Sequence, residues 1–262
     1  MKPLQRLLGM PPISRAARRA ADYVDLQWSL TISALKRVAP QAHGRLIDVG
    51  CGHKPYVDIF TPYVDEYIGV EREDTFAHTN AQVQGEADVI YDGERLPFPD
   101  ASFDTALNVQ VLEHTPAPLE LLTEIARVLK PGGLLILMAP FSFRLHEEPH
   151  DYFRYSPYGL RHLCERAGLD MCSVEPMGAL WSVMGHKLNS YLGLSVARMG
   201  GVAQSLQKLG HEPTKQQSPR FWTLPIVVPA MFWVETSSRV LDRIIPDSAE
   251  TLSFIATAKR RA

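Results

Sequence analysis

Residues 46–52 read Leu-Ile-Asp-Val-Gly-Cys-Gly, and they are the strongest indication of the fold class. Apolar residues that lead straight into two glycines are typical of a buried strand ending in a tight turn. Glycine has no Cβ, so the turn can adopt a positive φ and a ligand can lie against the backbone. A second strand-like run, 67–71, ends in Glu71, nineteen residues after Gly52. In a doubly wound α/β fold an acid at that place can bind both ribose hydroxyls, so the two features together indicate a nucleoside cofactor.

Strand-like and helix-like segments alternate on both sides of this turn. Such alternation predicts a mostly parallel sheet covered by helices. A Ser156-Pro157 pair is typical of a helix start, and Pro131-Gly-Gly133 is typical of a helix stop. The predicted strands are 45–49, 66–71, 87–91, 103–109, 134–138, 169–174 and 251–258, and the predicted helices are 22–38, 56–60, 118–130 and 156–167.

Composition limits the class of protein. The chain has 262 residues, of which 45% are hydrophobic, enough for one large domain or a core with an appendage. A net charge of −2 gives no general attraction to nucleic acid. The three cysteines, Cys51, Cys164 and Cys172, are far from any metal-binding spacing. We therefore expect reduced thiols and a cytoplasmic protein that does not bind nucleic acid.

The first 21 residues carry five basic side chains and no acid. They lack a continuous apolar region, so a secretory signal is not expected. A surface helix with a basic face, a membrane-surface contact and an organellar transit peptide all fit this composition, and the sequence leaves the three open. The basic residues are Lys2, Arg6, Arg15, Arg18 and Arg19.

Five segments, in this order and spacing, resemble class I S-adenosylmethionine-dependent methyltransferases of the broad type 11 group. The resemblance implies a Rossmann-like, seven-stranded, mostly parallel sheet of order 3-2-1-4-5-7-6, with helices on both faces and an antiparallel seventh strand. It also implies an enzyme that transfers a methyl group from S-adenosylmethionine. The matching segments are 46–52, 67–71, 92–104, 112–114 and 124–137.

The resemblance also implies which residues bind the cofactor. Glu71 would bind the ribose hydroxyls, and Asp92 would accept a hydrogen bond from the adenine amino group. The first-strand acid and the glycines would line the methionine end, and the end of the fourth strand would floor the pocket. The expected cofactor-binding residues are Asp48, Gly50, Cys51, Gly52, Glu71, Arg72, Asp92, Gly93, Asn108 and Gln110.

Lys54 stands where a third glycine occurs in many such proteins. A dinucleotide site needs G-x-G-x-x-G to hold a pyrophosphate, which S-adenosylmethionine lacks, so Lys54 argues against a nicotinamide oxidoreductase. Lys54 also departs from the methyltransferase pattern, since many of these enzymes have glycine there. Its side chain would narrow the cofactor pocket or shift the turn. A non-catalytic binding or scaffold protein of the same fold is the alternative.

Glu113-His114 is the first candidate for chemistry on the acceptor. A look-alike E-x-x-E-H stretch in ubiquinone-pathway O-methyltransferases implies a metal site, but here Gln110 replaces the first Glu, and we expect no metal. His114 is either a general base or a loop residue that orders the pocket.

A second candidate is the polar and aromatic stretch 146–155. Its His-Glu-x-x-His start matches a zinc-protease pattern, but Pro149 would break the helix which that pattern requires. The stretch resembles a loop in methyltransferases associated with glycan or cell-envelope pathways, and it is either a substrate-facing lid or a salt-bridged structural loop. His150 is our preferred base, ahead of His114. The expected catalytic residues are His150, His114, Tyr152, Asp151 and Arg154.

Residues 178–246 form an insertion of helical character before the last strand. Its apolar run 221–234 is too short to span a bilayer and contains two prolines. Four roles fit this insertion: a cap over the active site, a hydrophobic acceptor pocket, a membrane-binding surface and a dimer interface. Trp222 and Trp233 would suit an interface. We divide the chain into an N-terminal helical segment 1–40, a methyltransferase core 41–177, the insertion 178–246, and the final strand with a basic tail 247–262.

These features predict methylation, at oxygen for preference, of a small molecule that is hydrophobic or linked to a glycan. The expected partners are that acceptor and, peripherally, the inner face of a membrane. Either a monomer or a homodimer agrees with the sequence.

Overall fold

A computed structural model describes residues 25–73, 87–198 and 224–262. These residues fall into two compact units. The sheet unit contains Thr31–Met177 and Thr251–Ala262, and the helical unit contains Gly178–Glu250 together with the described residues before Thr31.

The sheet unit is built on one seven-stranded sheet of order β3-β2-β1-β4-β5-β7-β6. Neighbouring strands from β3 to β5 run parallel, and β7 is antiparallel to both β5 and β6. The predicted fold class and strand order are therefore confirmed. The strands are β1 Arg45–Val49, β2 Glu66–Arg72, β3 Val89–Tyr91, β4 Phe103–Val109, β5 Leu129–Pro140, β6 Leu169–Met177 and β7 Ser253–Arg260.

The central strands are apolar on both faces because helices cover both. In β4, for example, Phe103, Ala106 and Leu107 are fully buried, as expected of a strand in the middle of a helix-covered sheet. In the register of β1 with β2, Val49 lies beside Val70, so the glycine turn after β1 and the acid near the end of β2 meet at one edge of the sheet. That edge is where parallel α/β sheets bind ligands.

Four helices belong wholly or partly to the sheet unit. The serine cap predicted for the helix that begins at Pro157 is confirmed, because the Ser156 hydroxyl accepts a hydrogen bond from the Gly159 N–H at 3.1 Å. Leu122 and Ile125 lie on the buried apolar face of the helix that begins at Pro118. The helices are α1 Leu26–Val38, α2 Val57–Phe60, α3 Pro118–Val128 and α4 Pro157–Arg166.

Some element boundaries differ from the prediction. Helix α3 ends at Val128, and β5 begins at once and continues through the expected Pro-Gly-Gly stop. Gly132 adopts a φ of +77°, and the pairing with β4 shifts register between Phe103 and Thr105. Pro131, Gly132 and Gly133 therefore form an irregularity inside β5 instead of a loop before it. Strand β7 begins at Ser253, two residues later than predicted.

The helical unit contains two long helices, α5 Leu180–Arg198 and α6 Leu224–Ile244. The Asp242 carboxylate near the end of α6 accepts hydrogen bonds from the backbone N–H groups of Ala179 at 3.1 Å and Trp181 at 3.0 Å. It thereby satisfies donors at the start of α5 that have no partner within that helix. Trp222 lies outside the described residues. Within those residues no helix combines the length and apolarity needed to cross a membrane.

Candidate active site

A cleft of about 560 Å³ opens at the carboxyl ends of β1, β2 and β3. Five of the predicted cofactor residues line it: Gly50, Glu71, Arg72, Asp92 and Gly93. The opposite wall comes from the segment after β4 and from the first turns of α3. The remaining lining residues are Val49, Tyr91, Glu94, Leu96, Val111, Thr115, Pro116, Ala117, Glu120, Leu121 and Glu124.

Glu71 ties the glycine turn to the end of β2. Its carboxylate is nearly buried and accepts hydrogen bonds from the N–H groups of Gly52 at 2.8 Å and Arg72 at 3.0 Å. Gly50 needs to be glycine for two reasons, since its φ is +80° and a Cβ there would lie 2.4 Å from a Val111 methyl group. Bare backbone and a fixed carboxylate therefore face the same cleft, which fits a ribose-bearing ligand.

Asp92 and Gly93 form the turn that follows β3. One Asp92 oxygen accepts a hydrogen bond from the Glu94 N–H at 2.9 Å, which holds the turn. Gly93 has a φ of +90°, and a Cβ there would lie 2.6 Å from the Arg72 Nε. The Arg72 side chain and this turn are thus closely packed at the rim of the cleft.

The other predicted cofactor residues support the cleft without lining it. Asp48 is buried and accepts a hydrogen bond from the Tyr67 hydroxyl. The buried Asn108 amide donates to the Val49 carbonyl at 3.0 Å, and the Gln110 amide donates to the Ser253 hydroxyl at 3.2 Å. Cys51 and Gly52 complete the turn behind Gly50. Whether these five contact the cofactor stays a prediction.

Lys54 does not close the cleft. It adopts a φ of +48°, and its ammonium pairs with Asp88 at 2.7 Å. Its stem passes beside Gly69, where a Cβ would lie 2.7 Å from the Lys54 Cδ. The lysine therefore points along β2 and packs there, so its replacement of a third glycine leaves the cleft open.

Asp48 makes the stability of the ligand-free protein depend on pH. Burial is the largest influence and raises the pKa of its carboxyl to about 7; the Tyr67 hydrogen bond opposes this, and Glu71 adds to it. The folded state therefore holds a proton that the unfolded chain releases near pH 4. We expect this group to lower the free energy of unfolding progressively from about pH 4 to about pH 7.

Asp48→Asn should remove that dependence, because an amide does not titrate. Urea unfolding at several pH values between 4.5 and 7.5 measures it: the wild-type stability should fall relative to the variant as pH rises. A constant difference between the two proteins across that range would contradict the assignment.

Sequence reasoning missed the wall of the cleft formed by residues 115–117 and by Glu120, Leu121 and Glu124 of α3. The Thr-Pro-Ala-Pro run before α3 was the available signal, because it marks a rigid segment after a central strand. Glu124 also accepts a hydrogen bond from the Leu96 N–H at 3.1 Å, so this helix is fixed to the segment after β3.

The loop after β5 is held by an ion pair between Asp151 and Arg154. The guanidinium donates to both carboxylate oxygens at 2.5 and 2.7 Å and to the carbonyls of Phe143 and Arg144 at 3.1 and 2.8 Å. The Asp151 side chain is 1% exposed, and the pair lowers the pKa of its carboxyl to about 2 against the effect of burial. These contacts order the loop, and an additional contact of either residue with an acceptor stays a prediction.

His150 and Tyr152 lie near the surface of the same loop. The His150 Nδ1 lies 3.2 Å from the Tyr152 hydroxyl, and the Tyr152 N–H donates to the Glu113 carbonyl at 2.9 Å. The phenol is exposed. The structure thus joins the two expected acceptor-facing side chains to each other and to the turn that carries Glu113.

That turn, a 3-10 helix at Leu112–His114, carries the remaining candidate base. The His114 Nε2 lies 3.1 Å from the His146 Nε2. Glu113 is fully buried, and burial raises the pKa of its carboxyl to about 8. Burial, and then the neighbouring His114, lowers the pKa of His146. His146 was missed as a member of this site because 32 residues separate it from His114.

Comparisons with known proteins point to one family. The family model described as a methyltransferase domain matches residues 47–137. An uncharacterized methyltransferase of Mycobacterium sp. (strain KMS) is 42% identical over 94 residues, which cover 35% of this chain and 37% of that protein. The chain therefore spans well under half the length of this curated relative.

Two solved structures show the same fold. An S-adenosylmethionine dependent methyltransferase from Mesorhizobium loti aligns with 90% of this chain and all of its own, with a TM-score of 0.50 and 14% identity. The [4+2]-cyclase SpnF aligns with 90% of this chain and 82% of its own, with a TM-score of 0.51 and 18% identity. At such identities the likeness concerns the fold alone.

Proposed function

We propose that the chain is a class I S-adenosylmethionine-dependent methyltransferase and that it methylates an oxygen atom of a hydrophobic or glycan-linked small molecule. The observation that carries the proposal is the cleft itself. In it a buried carboxylate at the end of β2 and a glycine turn after β1 face one another, as a ribose-binding site requires.

S-adenosylmethionine would supply a methyl group already activated by a positively charged sulfur. The protein would then need to bind, align and exclude water, and for a hydroxyl acceptor also to remove a proton. Glu71 would hold the ribose, and Asp92 would receive the adenine amino group. The apolar side chains of Val111, Pro116 and Ala117 would exclude water from the other side.

The proposal places proton removal on His150, with His114 as the second candidate. His150 touches Tyr152, whose exposed hydroxyl can itself bind an acceptor. The Asp151–Arg154 pair holds the loop that presents both side chains. Oxygen is the preferred acceptor atom because a hydroxyl is the acceptor that needs such a base.

A non-catalytic protein of the same fold is the rival. The fold alone does not establish methyl transfer, because a protein named as a [4+2]-cyclase has it too. A dinucleotide oxidoreductase is disfavoured by the absence of a third glycine at Lys54.

A hydrophobic acceptor is supported by the surface of α6. Ile226, Val228, Trp233 and Ile244 of this helix are all at least half exposed, and Trp233 is 72% exposed. Leaving such apolar area in water is unfavourable by about 25 cal/mol per Å², so contact with lipid or a lipid-like molecule would stabilise it. A cytoplasmic protein that meets its acceptor at a membrane surface is consistent with this.

Transfer of labelled methyl groups tests the proposal. The protein is incubated with methyl-labelled S-adenosylmethionine and with separate lipid, polysaccharide and polar small-molecule extracts of its source cells. We expect label in the lipid or polysaccharide fraction. The His150→Ala and Tyr152→Ala variants should bind S-adenosylhomocysteine like wild type. They should transfer label at least about 100-fold more slowly, as loss of a positioned base predicts.

Tyr158→Ala, on the exposed surface of α4, is the matched control and should transfer label normally. Binding of S-adenosylhomocysteine with no label in any fraction would favour the non-catalytic rival. Label only in polar small molecules would overturn the hydrophobic or glycan-linked acceptor.

A further inference from the structure

Glu113, His114 and His146 bring three ligand atoms within 4.8 Å of one another. The first two lie on the 3-10 turn after β4, and the third lies on the loop after β5. Glu113 and His114 occupy the last two positions of the E-x-x-E-H pattern, whose first position is Gln110, bonded here to Ser253; His146 lies outside that pattern.

Both imidazoles present a lone pair to the same point. The His114 Nδ1 lies 2.7 Å from the His150 carbonyl, an acceptor, so this nitrogen carries the proton. The His146 Nδ1 lies 3.2 Å from the Arg144 carbonyl and 3.3 Å from an Asp151 oxygen, both acceptors as well. The two Nε2 atoms, 3.1 Å apart, are therefore both unprotonated in the neutral rings and repel each other unless a cation lies between them.

Glu113 adds an unsatisfied carboxyl group to this pair. Its side chain is 0% exposed, and neither oxygen has a hydrogen-bond partner among the residues that the structure describes. One oxygen lies 3.9 Å from the His114 Nε2. A buried carboxyl without partners is costly, and a bound cation is one of the few groups that removes that cost.

We propose that Glu113, His114 and His146 bind a divalent transition-metal ion of the Zn²⁺ type. Two imidazole nitrogens and a carboxylate oxygen suit such an ion, whereas Mg²⁺ and Ca²⁺ prefer oxygen alone. Two nitrogens at 3.1 Å can share an ion at about 2.0–2.1 Å with an angle of about 100° between the bonds. The Glu113 oxygen, 3.9 Å from the His114 Nε2, would have to move closer to reach the same distance from the ion.

The groups behind the ligands fit this site as well. Asp151 receives the His146 backbone N–H at 3.0 Å and lies beside the ring nitrogen that faces away from the ion. A carboxylate behind a ligating histidine fixes its ring and raises its basicity. The Asp151–Arg154 pair therefore acts as a positioning group for His146.

Three protein ligands leave at least one coordination position open. Glu147, whose side chain is 66% exposed and 3.8 Å from the His114 Nε2, lies on the outer side of the site. Val111 and Thr115 flank the 3-10 turn and line the cofactor cleft. If the proposed methyl transfer is correct, the open position would bind the acceptor hydroxyl and lower its pKa; metal binding itself does not depend on it.

Cobalt binding by tag-free, full-length protein tests the site. The protein is freed of metal with a chelator, and CoCl₂ is added while the visible absorption of Co²⁺ is recorded; ZnCl₂ is then added to displace it. We expect one Co²⁺ per chain with the intense bands of four- or five-coordinate cobalt, and displacement by one equivalent of Zn²⁺. His146→Gln and Glu113→Gln should weaken binding by at least tenfold, and Asp151→Asn by about 10- to 100-fold.

His162→Gln, an exposed histidine of α4, is the matched control and should bind like wild type. Circular dichroism and the affinity for S-adenosylhomocysteine show whether each variant is folded. A folded wild type that binds no Co²⁺, or a His146→Gln variant that binds it equally well, would overturn the site and leave two histidines that share a proton. Cobalt binding without binding of S-adenosylhomocysteine would refute the proposed function and leave the metal site standing.

Discussion

Gly50→Ala is expected to destabilise the sheet unit by about 2–5 kcal/mol. An L-residue at a left-handed φ costs roughly 1–2 kcal/mol, and forcing a methyl group into packed atoms costs about 1–3 kcal/mol more. Both apply here, since φ is +80° and the new Cβ would lie 2.4 Å from a Val111 methyl group. Urea unfolding measures the change, and the affinity for S-adenosylhomocysteine should fall with it because Gly50 lines the cleft.

Gly52→Ala separates the two causes. Its φ is +51°, but a Cβ there meets no described atom within 4 Å, so we expect only the backbone cost of roughly 1–2 kcal/mol. Adding Val111→Ala to Gly50→Ala should recover part of the stability by removing the clash while the φ cost remains. Equal losses for the two single glycine variants would show that the clash with Val111 is relieved by movement of the turn.

Glu71→Ala should weaken binding of S-adenosylhomocysteine by about 2–3 kcal/mol, or roughly 30- to 150-fold. Two charge-assisted hydrogen bonds to the ribose hydroxyls would be lost. The Gly52 N–H would also lose its acceptor, which loosens the turn that the ligand lies against. Titration calorimetry measures the affinity, and Glu71→Gln, which keeps an uncharged acceptor, should lose less.

Glu66→Ala is the matched control for that experiment. Glu66 begins the same strand, pairs with Arg45 at 2.5 Å and is half exposed, so its loss should leave the affinity unchanged. An unaltered affinity in a folded Glu71→Ala protein would refute the ribose role of Glu71.

The part of the site that depends on local sequence was predictable. Gly50 directly follows β1 and Glu71 lies one residue before the end of β2. An apolar run marks each strand, and parallel pairing brings strand ends together without further information. Asp92 and Gly93 were expected from the family resemblance, and they form the turn after β3. The effect of Lys54 on the cleft could not be predicted from the sequence, because its ion pair with Asp88 is what shows that the side chain points away from the cleft.

The part that depends on packing between distant segments was not predictable. The cleft wall at Glu120 and Leu121 depends on how α3 lies against the segment after β3, which periodicity does not contain. The approach of His146 to His114 depends on a loop turned back on itself by Arg154. The alternation of strands and helices likewise could not show that β5 includes the Pro-Gly-Gly stretch. That boundary depends on how β5 pairs with β4, and pairing register is a property of two strands together.

Strand β7 lies between β5 and β6, although both precede it in the chain. On the ribosome, β5 and β6 are therefore synthesised well before the strand that joins them, with all of Gly178–Glu250 translated in between. During that interval both strands have unpaired edges, and such edges favour association with other chains. The sheet can close only when residues 253–260 emerge, so its completion must wait until every other strand of the sheet has been synthesised.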